Sequence, residues 1–256
     1  MMWLRRPARR WAVVLATLAM SGVLVGGCAE SSPAASGSTG QAPVASCAAT
    51  RGTWTAAEPA SPGSVNNDLT SVAVLAAGNA WAVGSYADTS GGQTLIEHWN
   101  GATWSVTPSP DPGGSGNFLS GVSAVSSSAI WAVGEYEIGG QSKTLIVSWN
   151  GTEWTRAPIP NTGGRGLVDS LRGVAASSPA NAWAVGYISN GASSQSLILH
   201  WNGTAWTRAA SPSPGAGGNL VGITASSAAS AWAVGQFGAV GGDDAFAVRY
   251  CPPARG

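Results

Sequence analysis

A four-residue block, Trp-Ala-Val-Gly, starts at Trp81, Trp131, Trp183 and Trp232, at spacings of 50, 52 and 49 residues. This period constrains the chain more than any other feature, because a unit repeated at a fixed interval must bury its apolar face on its own neighbours. A second block, Trp-Asn-Gly-x-x-Trp, starts at Trp99, Trp149 and Trp201 and ends at Trp104, Trp154 and Trp206. Eleven of the 13 tryptophans hold repeat positions once Trp54 is counted, so the tryptophan content belongs to the repeat.

Each repeat reads as four short β segments. In the first, Leu69 to Val74 is apolar and β-branched, and Ala80 to Tyr86 carries the Trp-Ala-Val-Gly block. Thr94 to Asn100 alternates, with Leu95, Glu97 and Trp99 on one face and Thr94, Ile96 and His98 on the other; a fourth segment runs from Thr103 to about Thr107. Four strands in some fifty residues, repeated, predict an all-β fold, a four-bladed β-propeller. Ser71, Gly121, Gly173 and Gly222 recur in the first strand, where small side chains relieve crowding near an axis. Glu97 stands where other repeats have Val147, Leu199 and Val248, so it needs a partner if buried.

The ends of the chain complete the count. The last repeat supplies three strands, the third being Ala245 to Tyr250, and then stops. Gly52-Thr53-Trp54-Thr55 looks like an orphan fourth strand, 50 residues before Trp104 in register. Placed beside the last blade, it closes the ring and brings Cys47 toward Cys251, which are expected to pair as a terminal disulfide in an oxidising compartment.

The first 27 residues read as a secretory signal: Arg5, Arg6, Arg9 and Arg10 precede an apolar run from Trp11 to Val25, too short to span a bilayer as a helix. The run ends in Leu24-Val25-Gly26-Gly27-Cys28, which resembles the lipobox of bacterial lipoproteins. That resemblance implies a lipid on Cys28, an anchor in the membrane and an extracytoplasmic location. Residues 28–46 are small, polar and Pro-punctuated and read as a disordered tether; residues 47–256 form the propeller.

The Trp-Ala-Val-Gly repeats, from about Trp54 to Cys251, resemble the tryptophan-rich repeats of secreted proteins from high-GC Gram-positive bacteria, grouped with kelch-like or galactose-oxidase-type propellers. The resemblance implies the fold and no activity. The copper-radical ligand pattern of Cys, Tyr and His is absent, so that chemistry is not carried over. The Asn-Gly-x-x-Trp turns also look like Asp-box turns, with Asn100, Asn150 and Asn202 in the acidic place. Asn150-Gly-Thr and Asn202-Gly-Thr match a glycosylation acceptor but are read as turns.

Chemical motifs are scarce. Twelve Lys and Arg balance twelve Asp and Glu, which argues against a nucleic-acid partner. No phosphate loop, dinucleotide fingerprint, zinc spacing or nucleophile elbow occurs, so no catalytic residue, metal or cofactor is assigned. His98 and His200 share their repeat position with Ser148 and Arg249, which points to a structural site. Glu135 and Glu137 flank Tyr136, and could share a face as an acid/base pair or calcium site, against the reading as solvated loop charge.

The long connections that differ between repeats lie on one propeller face, the place where a rigid scaffold carries function. They supply Tyr86, Glu135, Tyr136, Glu137, Arg165, Tyr187 and Asp243 as ligand-binding candidates. The sequence therefore predicts a monomeric, membrane-anchored module that binds a protein or an envelope glycan. A glycan hydrolase or lyase, or a structural subunit of an envelope complex, are the alternatives. Cys28→Ala is expected to release the protein from the membrane fraction into the medium, as immunoblotting of the two fractions would report; retention in the membrane would remove the anchor.

Overall fold

The computed structural model describes residues 54–114, 116–160, 168–212, 217–239 and 242–252. The signal segment with Cys28, the tether, Cys47 and Arg165 lie outside the described residues. The fold is all-β. The first repeat is an antiparallel meander of β1 (Asn66–Ala76), β2 (Asn79–Asp88), β3 (Gly91–Trp99) and β4 (Trp104–Val106). The second is β5 (Gly116–Ser126), β6 (Ala129–Ile138), β7 (Gln141–Trp149) and β8 (Trp154–Arg156). The third is β9 (Val168–Ser178), β10 (Asn181–Ser189), β11 (Ser194–Trp201) and β12 (Trp206–Ala209). The last has β13 (Gly218–Ser227), β14 (Ser230–Ala239) and β15 (Gly242–Tyr250). Hydrogen bonding groups them into three sheets, because one parallel bridge, Ser142 to Val168, joins the second and third repeats.

The glycine of the Trp-Ala-Val-Gly block answers to a bulge. Leu69 faces Gly84 and Ser71 faces Val83, which leaves Thr70 as an extra residue in β1. The same offset leaves Ser120, Arg172 and Val221 extra in β5, β9 and β13. A bulge bends its strand onto the partner. A β-carbon at Gly84, Gly134, Gly186 or Gly235 would lie 1.9 Å from the carbonyl oxygen of Asp68, Phe118, Ser170 or Asn219 respectively. No side chain fits there, so each second strand needs its glycine.

The Trp-Asn-Gly-x-x-Trp block builds the turn between third and fourth strands. Asn100 Oδ1 accepts the backbone N–H groups of Ala102 and Thr103, and Asn150 and Asn202 do the same for their own turns. The glycines that follow have φ near +100°, at 97°, 104° and 96°, where a side chain is strained. The first Trp of the block donates its indole N–H to a carbonyl at the turn between first and second strands of its own repeat.

Strand alternation gives each sheet two apolar faces. Trp81, Val83 and Ile96 share what we call the front; Leu69, Val72, Ala82, Leu95, Glu97, Trp99 and Trp104 share the back. The front of each repeat packs on the back of the next. Trp81, Val83 and Ile96 cluster with Leu119, Val122, Leu145 and Trp154, and Trp131, Val133 and Ile146 cluster with Leu171, Leu197, Leu199 and Trp206. The Trp81 ring lies 4.9 Å from Trp149 and 5.5 Å from Trp154, and Trp183 lies 4.6 Å from Tyr250. At ~25 cal/mol per Å² of apolar area, burying one indole contributes about 4 to 6 kcal/mol. First strands pack side by side in the order β1, β5, β9, β13. A β-carbon at Gly121 would come within 3.2 Å of the Arg172 carbonyl oxygen, which accounts for the small residues there.

The expected closure is not present among the described residues. Trp54 and Thr55 belong to no strand, Trp54 is fully exposed, and the last sheet ends at β15 with three strands. β13 packs along β9, and no comparable contact joins it to β1. A strand leading by a short connection into β1 reaches β15 of the same chain only where β13 and β1 adjoin. Cys251 is exposed, and its expected partner Cys47 lies outside the described residues.

Gly134→Ala, which drives a methyl into the Phe118 carbonyl, is expected to cost about 3 kcal/mol or more in urea unfolding, above the usual overpacking range. Gly114→Ala, with nothing within 4 Å of its β-carbon, should leave the midpoint unchanged.

Candidate binding site

The bulge residues differ from repeat to repeat, as Thr70, Ser120, Arg172 and Val221, inside strands whose neighbours recur. A second variable position, directly after the block, holds Ser85, Glu135, Tyr187 and Gln236. The structure brings three of these eight side chains together. Arg172 Nη2 lies 4.0 Å from Glu135 Oε1 and donates to the Tyr187 hydroxyl at 3.2 Å. The guanidinium also lies 5.6 Å from the Tyr187 ring centroid. Glu135 reaches the cluster from the front of the second repeat, while Arg172 and Tyr187 belong to the third. Arg172 is 38% exposed and Glu135 17%. Glu135 Oε2 is buried without a hydrogen-bond partner among the described residues. The site thus offers a partly exposed cation and an aromatic ring, with a largely buried carboxylate behind the cation.

Other sequence candidates separate. Tyr136 accepts a hydrogen bond from Arg156 Nη2 at 2.7 Å, with the guanidinium 4.7 Å from its ring centre, on the opposite face of the same strand. The Tyr86 hydroxyl donates to Gln93 Oε1; burial, then Asp111 and Asp88, raise its pKa. Glu135 and Glu137 do share a face of β6, but Glu135 turns to Arg172 and Glu137 stands exposed beside Gly116. Asp243 is exposed on β15 and accepts from Gln236 Nε2 at 3.1 Å. Arg165 lies outside the described residues. Sequence reasoning missed Arg172 and Arg156. A residue that breaks the repeat inside a recurring strand was the available signal for Arg172.

The histidines are structural. His98 stacks on Trp81 at 4.3 Å and pairs through Nε2 with Asn79 Oδ1 at 3.0 Å; His200 does so with Trp183 at 3.9 Å and Asn181 at 2.8 Å. Burial lowers both pKa values, which favours the neutral ring. Glu97 is fully buried, and its Oε2 accepts the Ala60 N–H at 3.0 Å. Among the described residues no group of three or more His, Cys, Asp or Glu is placed to hold a metal ion.

No family model matches the sequence, and no curated protein matches it. Among solved structures, a fucose lectin from Kordia zhangzhouensis in complex with methyl-fucoside is similar over 55% of this chain and 97% of that chain, with a TM-score of 0.39 and 14% identity. A likeness at that level assigns neither a site nor a ligand.

Desolvation raises the Glu97 pKa, and the Ala60 N–H offsets this in part. A raised folded-state pKa contributes stability that is present below the ordinary carboxylate range and is lost as pH rises through the folded value. Glu97→Gln keeps an acceptor for Ala60 without the charge. Its melting temperature is expected to exceed wild type at neutral pH, with the gap narrowing toward pH 4; a gap independent of pH would place the ionised carboxylate in water.

Proposed function

We propose that this protein is a lipid-anchored binding module of the extracytoplasmic membrane face that engages a protein or an envelope glycan through Arg172, Glu135 and Tyr187. Its four repeats act as propeller blades, and Cys47 and Cys251 are expected to pair in an oxidising compartment. The observation that carries the reading is the Arg172 guanidinium, held between a carboxylate and an aromatic ring at a bulge where the scaffold repeats and the side chain does not.

Hydroxyl groups suit this arrangement. Arg172 donates and the Tyr187 ring offers an apolar face, so a polyhydroxylated ligand can engage both at once while Glu135 holds the guanidinium in place. The basic and apolar amino terminus and Cys28 support delivery to the membrane surface.

The full chain in detergent, titrated against envelope polysaccharides, is expected to bind saturably. Arg172→Ala and Tyr187→Ala should each weaken binding about tenfold, while Tyr86→Ala should leave it unchanged. Equal affinity in all three variants would reject the site.

A further inference from the structure

Three front-to-back contacts between successive repeats leave two faces uncovered. On the front of the last repeat, Trp232 is 48% exposed and Val234 49%, where Trp81, Trp131 and Trp183 are at most 5% exposed and Val83, Val133 and Val185 are fully buried. On the back of the first, Leu69 is 40% and Val72 60% exposed, against 1% for Leu119 and 8% for Val122. These are the two halves of the contact that the chain makes three times within itself.

A groove accompanies them. Along β15, between the third and last repeats, a cavity of about 390 Å³ is lined by Trp183, Ile198, Ala231, Ala233, Val248 and Tyr250 among others. In the earlier repeats the matching place holds the fourth-strand tryptophan: Trp154 packs on Trp81, and Trp206 clusters with Trp131. The groove therefore fits a strand on the free edge of β15 with a tryptophan opposite Tyr250, as Trp104 stands opposite Trp99.

Trp54-Thr55-Ala56-Ala57 has that form, matching Trp206-Thr207-Arg208-Ala209, and Trp54 is fully exposed. Ala57 and Pro59 line a hollow with Leu69 and Val72 on the first repeat, just as Ala209 and Pro212 line the groove with Ile223 on the last. The segment thus arrives on β1 as though from a preceding blade. That blade is not the chain's own last repeat, because the packing step from β1 to β5, β9 and β13 does not return β13 to β1.

We infer that two copies of this chain join head to tail. Each lays its Trp54 strand on β15 of the other, and each covers the other's Trp232 with the back of its first repeat. Two such contacts related by a two-fold axis close the assembly and cover the free edge of β15 in each chain. The Cys47–Cys251 bond then links the chains: the two thiols lose two protons and two electrons to a disulfide oxidant, which is reduced to its dithiol.

Light scattering of the full chain in detergent, corrected for bound detergent, is expected to give twice the chain mass. A non-reducing gel should show a dimer band that reductant, or Cys251→Ser, converts to monomer. Trp232→Asp, at an exposed position, should keep the β-sheet circular dichroism and raise the dissociation constant about thirtyfold or more, with Cys251→Ser as background. Trp54→Ala should act in the same direction. A monomeric wild type overturns the inference, as does a dimer indifferent to both tryptophan changes, or a dimer band that persists in Cys251→Ser.

Discussion

The structure depends on a carbonyl oxygen that lies where a β-carbon would otherwise be. In each repeat the first strand carries one residue too many for its partner, and the excess presses its backbone onto the glycine of Trp-Ala-Val-Gly. The close approach adds local twist and bend, which a stack of meanders needs if successive sheets are to splay from their first strands. It also sets the alternation of the second strand, so that Trp and Val point forward and the small Ala points back. A one-residue slip would send the indole to the wrong face.

Packing between repeats follows from that alternation. An indole and two β-branched side chains on one front meet leucines, small alanines and a fourth-strand tryptophan on the next back, and the small residues leave room for the large ones. Glu97 interrupts this apolar surface on the back of the first repeat, where no sheet of the chain lies over it. There the Ala60 N–H comes to it instead. The first and last repeats are thus built as interior members of a stack and stand at its ends.

The bulge has a second consequence. Its extra residue has no partner in the ladder and escapes the repeat's demands on size and polarity, so it is free to carry chemistry. In the third repeat it is Arg172, and the neighbouring variable positions supply Glu135 and Tyr187. A flat-packed scaffold with few charges holds these groups in place, and their polarity contrasts with the alanines and valines around them.

The sequence by itself determined the repeat, the four-strand unit, the strand block and the turn block that carry the tryptophans, and the need for small residues in the first strand. Those features depend on alternation, on Asn-Gly turn chemistry and on side-chain size, which neighbours along the chain encode. It marked Glu97 as a residue in need of a partner but not Ala60 as that partner. Only the tertiary structure decided that Glu135 meets Arg172 while Glu137 faces solvent, that Tyr136 pairs with Arg156, and that among the described residues no amino-terminal strand joins β15. Those outcomes turn on how one sheet rotates against the next. Rotation sums small backbone twists over many residues, and no spacing in the sequence reports that sum.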